Sequence, residues 1–149
     1  MDDAELIASL NVDVQAIHAA ALPSRFKPAS AEAFDRAETV ELLTDPANLV
    51  FIADVDGEPA GYAYAEIIRR PETSLVYAYE MIYIHHISVR PAHRRHGVGT
   101  ALIETLRAAG RERNIGHLAL DVWLFNAGAR AFFRRHGFAA NHESLVSGT

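Results

Sequence analysis

The sequence predicts a mixed α/β fold, and three observations predict it. Apolar residues recur at a spacing of three and four between Asp3 and Ala21, which is the period of an amphipathic helix. Two runs rich in apolar, β-branched and aromatic residues flank Asp56-Gly57, a dipeptide favoured in tight hairpin turns. A third such run, Ile82 to Val89, leads through Arg94-Arg95-His96-Gly97-Val98-Gly99 into an apolar-periodic helix, Val98 to Arg113. Strands followed by helices around one sheet place that Gly turn at the C-terminal end of a strand, where open α/β sheets usually bind ligands.

Taken in order, the first helix carries Leu6, Leu10, Val14, Ile17 and Ala21 on one stripe and ends before Pro23. After a loop from Pro23 to Pro28, Ser30 is the expected cap of a second helix through Leu43, with Phe34, Ala37, Val40 and Leu43 recurring every three residues and Pro46 closing it. Leu49 to Val55 and Ala60 to Ile68 read as an antiparallel hairpin. A long strand is expected over Val76 to Val89 and another over His117 to Trp123. A helix over Ala127 to His136 is stopped by Gly137, which supplies the left-handed residue common after a helix. His142 to Val146 is expected to add a last strand. No internal repeat or low-complexity tract interrupts this order.

A chain of 149 residues, half of them apolar, is long enough for one core and too short for two ordinary ones, so a single domain over 1–149 is expected. No run approaches the roughly 20 apolar residues of a membrane span. Met1-Asp2-Asp3 lacks the basic start of a secretory signal, and a cytoplasmic protein without membrane contact is expected. The absence of cysteine excludes disulfides, thiolate metal sites and a Cys nucleophile. A net charge of -5 argues against a nonspecific nucleic-acid binder, which needs a basic face to neutralise phosphates, and fits a cationic acceptor loosely.

The turn from Arg94 to Gly99 is the most informative stretch. A Gly-rich turn entering a helix aims several unpaired N–H groups at one spot, and the helix dipole adds about half a positive charge there, so anions bind such ends. Two familiar phosphate motifs fail against it. A Walker loop needs Lys-Ser/Thr after its last Gly, where Thr100 and Ala101 stand, and a dinucleotide fingerprint needs a third Gly where Leu102 stands. The pattern Arg-x-x-Gly-x-Gly, preceded by Ile87-Ser88-Val89-Arg90-Pro91, instead resembles the pyrophosphate-binding motif of the GNAT superfamily of acyl-CoA-dependent N-acyltransferases. Downstream, Asn126-Ala127-Gly128-Ala129-Arg130-Ala131-Phe132-Phe133-Arg134-Arg135-His136-Gly137-Phe138 is similar to that superfamily's Asn-x-x-Ala-x-x-Phe-Tyr-x-x-x-Gly-Phe segment. The resemblance covers roughly residues 49 to 138.

It implies a single mixed, mostly antiparallel sheet, splayed at its centre between two parallel strands and flanked by about four helices, the first two on the acceptor side. The strand that usually opens such domains has no counterpart before the first helix, so either that edge strand is missing or the native start lies upstream. An open sheet edge of this kind is a place for a second copy to pair, and a homodimer is one expectation. The resemblance further implies that the pantetheine arm of acetyl-CoA pairs with the backbone of Ile87, Ser88 and Val89. An N–H donor there would stabilise the developing oxyanion, worth about 3 to 4 kcal/mol in well-measured cases. The N–H groups of Arg95, His96, Gly97, Val98, Gly99 and Thr100 would take the pyrophosphate, with charge-assisted bonds from Arg94 and Arg95. One of these two arginines is also readable as only a solvated surface charge. Asn126 reads both as a helix cap and as a ligand residue, and Phe132 and Phe133 read first as core, with one of them near the pantetheine.

An amine of pKa near 10.4 is neutral in only about one molecule in a few thousand at pH 7, so a base or a desolvating pocket is useful. His85, His86 and Glu80 are the candidates for base or water relay. Successive strand residues point to opposite faces, so His85 and His86 do not share a site unless a bulge intervenes, and they make a poor metal pair; no metal is expected. Phe133 stands where many relatives carry a Tyr thought to protonate the departing thiolate; Tyr77, Tyr79 and Tyr83 are unranked substitutes. With neither Cys nor a Gly-x-Ser-x-Gly elbow, direct transfer of acetyl from acetyl-CoA to a primary amine of a small molecule or protein is the expected reaction. A non-catalytic acyl-CoA-binding sensor or regulatory module is the alternative, and a binder of some other phosphorylated metabolite a third.

Overall fold

The computed structural model describes residues 2–30 and 35–148. Helix α1 (Asp3–Ala21) and helix α2 (Arg36–Thr44) precede strands β1 (Asn48–Val55), β2 (Glu58–Arg70) and β3 (Tyr79–Val89). A 3₁₀ turn (Pro91–His93), helix α3 (Val98–Glu112), strand β4 (Leu118–Leu120) and helix α4 (Ala127–Arg135) follow. The four strands form one sheet in the order β1-β2-β3-β4, antiparallel except for the parallel β3–β4 pair. The expected mixed sheet with a parallel pair and four α-helices is therefore observed among the described residues. No helix among the described residues is long and apolar enough to cross a membrane.

Several boundaries have a local cause. Asp2 caps α1 by accepting from the Glu5 N–H at 3.0 Å. Asp56 (φ 54°) and Gly57 (φ 84°) make the two-residue turn that joins β1 to β2, in the left-handed pair of conformations the hairpin needs. At the C-terminal end of α4, Gly137 at φ 80° ends the helix as the sequence predicts.

Two cores lie on opposite faces of the sheet. Ala63, Ala65, Ile67, Ile82 and Ile84 pack with Val98, Leu102, Ile103 and Leu106 of α3 and with Phe133 of α4. On the other face Tyr62 packs with Ile7 and Leu10 of α1, joined by Leu43, Val50, Ile52 and Tyr64.

Several sequence expectations need correction. The buried face of α1 is Ala4, Ile7, Ala8, Leu10 and Asn11 rather than the stripe through Val14 and Ile17; Ile17 is exposed. The helix is rotated because Asn11 faces the sheet, where its amide meets the Tyr62 hydroxyl. The cap of α2 is Asp35, which accepts from the N–H groups of Ala37 and Glu38, not Ser30; Phe34 lies outside the described residues, and the buried position is Thr39 while Val40 is exposed.

Strand β3 starts at Tyr79, not Val76, because its partner β2 ends at Arg70, which pairs with Tyr79. Between them Pro71 leads into a turn in which the Thr73 hydroxyl accepts from the N–H groups of Leu75 and Val76. The expected strand at His117–Trp123 shrinks to Leu118–Leu120 because β4 leaves β3 after the Ile84–Leu120 pair. Residues His142 to Val146 form no strand: they have no sheet neighbour, and Leu145 and Val146 are exposed.

Candidate active site

The site is built around β3. Beyond Ile84 the strand has no ladder partner on the β4 side, so its segment from His85 to Val89 borders the gap where the two parallel strands separate. On its other side β3 stays paired with β2, but the register slips: Ala65 pairs with Ile84 and Tyr64 with His86, which leaves His85 as the extra residue of a β-bulge.

The bulge has a consequence for every side chain after it. Before it Ile82 and Ile84 face α3; after it Ile87 and Val89 do, so the alternation shifts by one. Both His85 and His86 consequently point to the α1 face. Tyr64 touches both: its ring stacks on His85 at 4.8 Å and meets His86 edge-on at 5.6 Å. The condition under which the two histidines share a site is thus met.

His85 Nε2 lies 2.8 Å from Glu66 Oε2, and the ring also contacts Tyr83 at 4.9 Å. The Tyr83 hydroxyl donates to Asp121 Oδ2 at 2.7 Å, tying β3 to the segment just past β4. Burial together with the Asp121 carboxylate pushes the Tyr83 pKa up to about 12. His86 is set deeper, with Nδ1 3.1 Å from the Tyr62 hydroxyl. Burial, reinforced by charge repulsion from His85 and His18, lowers its pKa to about 4. Glu80 sits at the opposite end of β3 and bonds Arg69 Nε at 2.7 Å; six strand positions, about 20 Å, separate it from His86. Of the three candidates for base or relay, the structure brings together His85 and His86. Tyr77 and Tyr79 also lie at that remote end, leaving Tyr83 as the tyrosine of the three beside the gap.

The Gly turn follows β3 after the short 3₁₀ turn at Pro91–His93. Arg95 (φ 64°) and Gly97 (φ 83°) both take the left-handed conformation in the turn that enters α3. Gly97 is the N-cap of α3, and the first intrahelical bond runs from Ala101 N–H to the Gly97 carbonyl, so the N–H groups at 97–100 lie at the open end of the helix. A side chain at Gly99 would meet the tip of the Phe132 ring at 3.0 Å, so the second glycine is fixed by packing of α4 on α3. Arg94 Nε donates to the Val89 carbonyl at 3.0 Å, which folds this guanidinium back over the strand end, while Arg95 and His96 are exposed.

Thr100 Oγ1 lies 2.9 Å from His136 Nε2, whose Nδ1 is 2.8 Å from the Phe132 carbonyl. A carbonyl only accepts, so Nδ1 carries the hydrogen and, in the neutral ring, Nε2 accepts the Thr100 proton. Asn126 caps α4 through its Oδ1, which accepts from Ala129 N–H at 3.1 Å, leaving its amide NH₂ for a second role. Phe133 is buried in the core against Phe138, so the ring at the family's Tyr position is a packing residue. Ser88 is buried opposite Tyr62, and Ile87 and Val89 pack on the α3 side, so what these three present to the gap is backbone. The residues thus fit an acyl-CoA: a free strand edge for an amide-rich arm, then an anion-binding turn.

Sequence reasoning missed Glu66, Tyr64, Tyr62, Asn11, Asp121 and His136. A signal existed for Glu66 and Tyr64, since the Asp56-Gly57 turn fixes which residues of β2 share a face. None existed for Asn11, whose helix stripe pointed elsewhere.

Residues 13–138 match the model of the acetyltransferase (GNAT) family, and the chain belongs to that family. It is 35% identical over 96 residues to a streptothricin acetyltransferase of Streptomyces lavendulae, covering 64% of this chain and 47% of that protein. It is 36% identical over 97 residues to the 5-NmdU N-acetyltransferase of Pseudomonas phage PaMx11, covering 64% and 61%. The chain spans about half the length of the curated relatives it matches. Among solved structures, the fold resembles that of a mutant BH1408 protein from Bacillus halodurans at a TM-score of 0.89, with 18% identity over 95% of this chain and 90% of that one. It also resembles an aminoglycoside antibiotic 6'-N-acetyltransferase from Acinetobacter haemolyticus at a TM-score of 0.71, with 23% identity over 100% and 94%.

Proposed function

We propose that the chain is an acyl-CoA-dependent N-acetyltransferase that passes acetyl from acetyl-CoA directly to a primary amine, with His85, held by Glu66, accepting the amine proton. One observation carries this reading: a single strand, β3, leads through a short 3₁₀ turn into the Gly turn at the open end of α3 and, four residues before its own end at Val89, presents a His–Glu pair beside the gap left by β4. The turn takes the pyrophosphate on the N–H groups of residues 95–100, with Arg94 and Arg95 adding charge. The backbone of residues 87–89 holds the pantetheine arm, and Asn126 and Phe132 border it from α4.

Glu66 accepts from His85 Nε2–H, which leaves Nδ1 as the ring's acceptor; the amine attacks the thioester carbon, its nitrogen loses a proton to His85 Nδ1 directly or through water, and the thiolate leaves. A thiol of pKa about 8.5 departs tolerably without a donor, so the phenyl ring at Phe133 does not block turnover. Glu66 and Asp121 on the same face favour a cationic acceptor, and the names of the curated relatives make streptothricin and 5-NmdU, and that of a structural neighbour an aminoglycoside, the first amines to offer.

The buried phenyl at Phe133 favours one second reading, a module that binds acyl-CoA without turnover. Thermal unfolding with acetyl-CoA, using ATP and free pantetheine as controls, tests the cofactor half: ligand at about 100 times its Kd should add roughly 2.7 kcal/mol. Thiol release on adding amines then separates enzyme from sensor. Absence of any shift at millimolar acetyl-CoA would defeat both readings.

A further inference from the structure

Behind the His85–Glu66 pair a buried hydrogen-bond chain crosses from α1 to the sheet. Asn11 is 6% exposed and Tyr62 is fully buried. Asn11 Nδ2 donates to the Tyr62 hydroxyl oxygen at 2.7 Å, and that oxygen lies 3.1 Å from His86 Nδ1. The directions follow from what each group can do. An amide NH₂ only donates, so the tyrosine oxygen accepts the first bond and its single proton is left for the second. His86 Nδ1 takes that proton as acceptor, and a neutral imidazole that accepts at Nδ1 carries its own hydrogen on Nε2.

The surroundings keep the ring neutral. Tyr62 and Tyr64 of β2 meet it edge-on at 6.2 and 5.6 Å, and His18 from α1 and His85 from β3 both oppose a positive charge on it. His85, by contrast, has the Glu66 carboxylate as its partner.

We propose that Asn11 and Tyr62 are positioning residues that lock His86 in its Nε2–H tautomer, so that His86 is a fixed hydrogen-bond donor and His85 alone exchanges protons on this face. The catalytic meaning of the lock rests on the acetyltransferase reading; the lock itself does not. Two histidines on one face could compete for the same role. Fixing one as a donor gives the face both polarities: an acceptor for the amine proton at His85 and an N–H at His86.

The test is long-range proton–nitrogen correlation NMR on the full chain labelled with nitrogen-15, from pH 5.5 to 8, with the His86 signals assigned by their loss in His86→Gln. The wild-type chain is expected to show a single neutral Nε2–H tautomer at His86 throughout. Tyr62→Phe keeps the buried ring and is expected to move the two nitrogen shifts toward the average of an exchanging imidazole. Asn11→Ser serves the same purpose if Tyr62→Phe does not fold, as judged by circular dichroism. An Nδ1–H tautomer or an imidazolium at pH 6.5 in the wild type would overturn the proposal, as would an unchanged tautomer in a folded Tyr62→Phe.

With an accepted amine, Tyr62→Phe is expected to lower kcat about tenfold while KM for acetyl-CoA stays put. A chain that shows the lock but releases no thiol with any amine would defeat the acetyltransferase reading and leave the lock standing.

Discussion

His86 stays neutral in the folded chain because burial and the neighbouring His85 and His18 oppose its charge, which takes its pKa from the ordinary 6.5 to about 4. The unfolded chain carries no such constraint. Below pH 6.5 the unfolded state therefore binds a proton that the folded state refuses, and stability falls as the pH drops from 6.5 toward 4; above 6.5 both states are neutral and the term vanishes. The loss is on the order of 2 to 3 kcal/mol, and urea unfolding from pH 4 to 7 should show it flattened in His86→Gln; an acid limb equally steep in both chains would sink the idea. At Glu66 the consequence is kinetic. Glu66→Gln keeps the shape but removes the carboxylate that holds His85, and kcat/KM for acetyl transfer should fall about 100-fold with little change in the acetyl-CoA dissociation constant. Equal turnover in the two chains would exclude His85 and Glu66 as a working pair. His85 and His86 were visible in the sequence as candidates, but not their common face. A bulge is a register slip between two strands, and neither strand's own alternation records it.

The elements divide into those whose signals are local and those set by a neighbour. The ends of α1, the β1–β2 turn and the glycine that ends α4 were legible because caps, left-handed turns and helix stops are written in adjacent residues. The start of β3 and the length of β4 were not, since a strand extends only as far as its partner pairs with it. The rotation of α1 came from a polar contact, Asn11 to Tyr62, that outweighed the apolar stripe. The turn before α3 shows both kinds of cause in one motif: Gly97 is required by its own φ of 83°, Gly99 by the Phe132 ring of α4. Gly97→Ala should therefore cost about 1 to 2 kcal/mol from backbone strain alone and weaken acetyl-CoA, whereas Gly97→Asn, a residue that tolerates the left-handed region, should lose less of both. Gly99→Val should fail through packing instead. Calorimetric titration of acetyl-CoA into the three variants separates the causes, and Ala and Asn behaving alike at position 97 would contradict the strain argument.

Across the whole molecule, the sheet lets one strand serve two faces and two ends. The α3 face supplies the main apolar core, the α1 face the polar side chains, and the C-terminal end of β3 leads into the Gly turn. These functions are held in register by the contact of β2 with the end of β3, and that contact depends on Gly61. A methyl group there would stand 2.5 Å from the Ser88 carbonyl oxygen and 3.2 Å from Val89 Cα, both backbone atoms that cannot rotate away. Relief requires the strands to part where Gly61 pairs with Val89 and where Arg90 N–H bonds the Ala60 carbonyl at 2.8 Å. Gly61→Ala is therefore expected to destabilise the fold by about 2 to 3 kcal/mol, the usual scale of overpacking, and to shift the backbone of residues 87–89 with the turn beyond it. Acetyl-CoA affinity should drop with it, while the His85–Glu66 pair, set at the bulge and away from Gly61, keeps its contact. Gly116→Ala is the control, since nothing lies within 4 Å of an added methyl at that position. Urea unfolding and acetyl-CoA titration of the two variants decide the matter: if Gly61→Ala matches Gly116→Ala in both, the close approach of β2 is not what sets the end of β3.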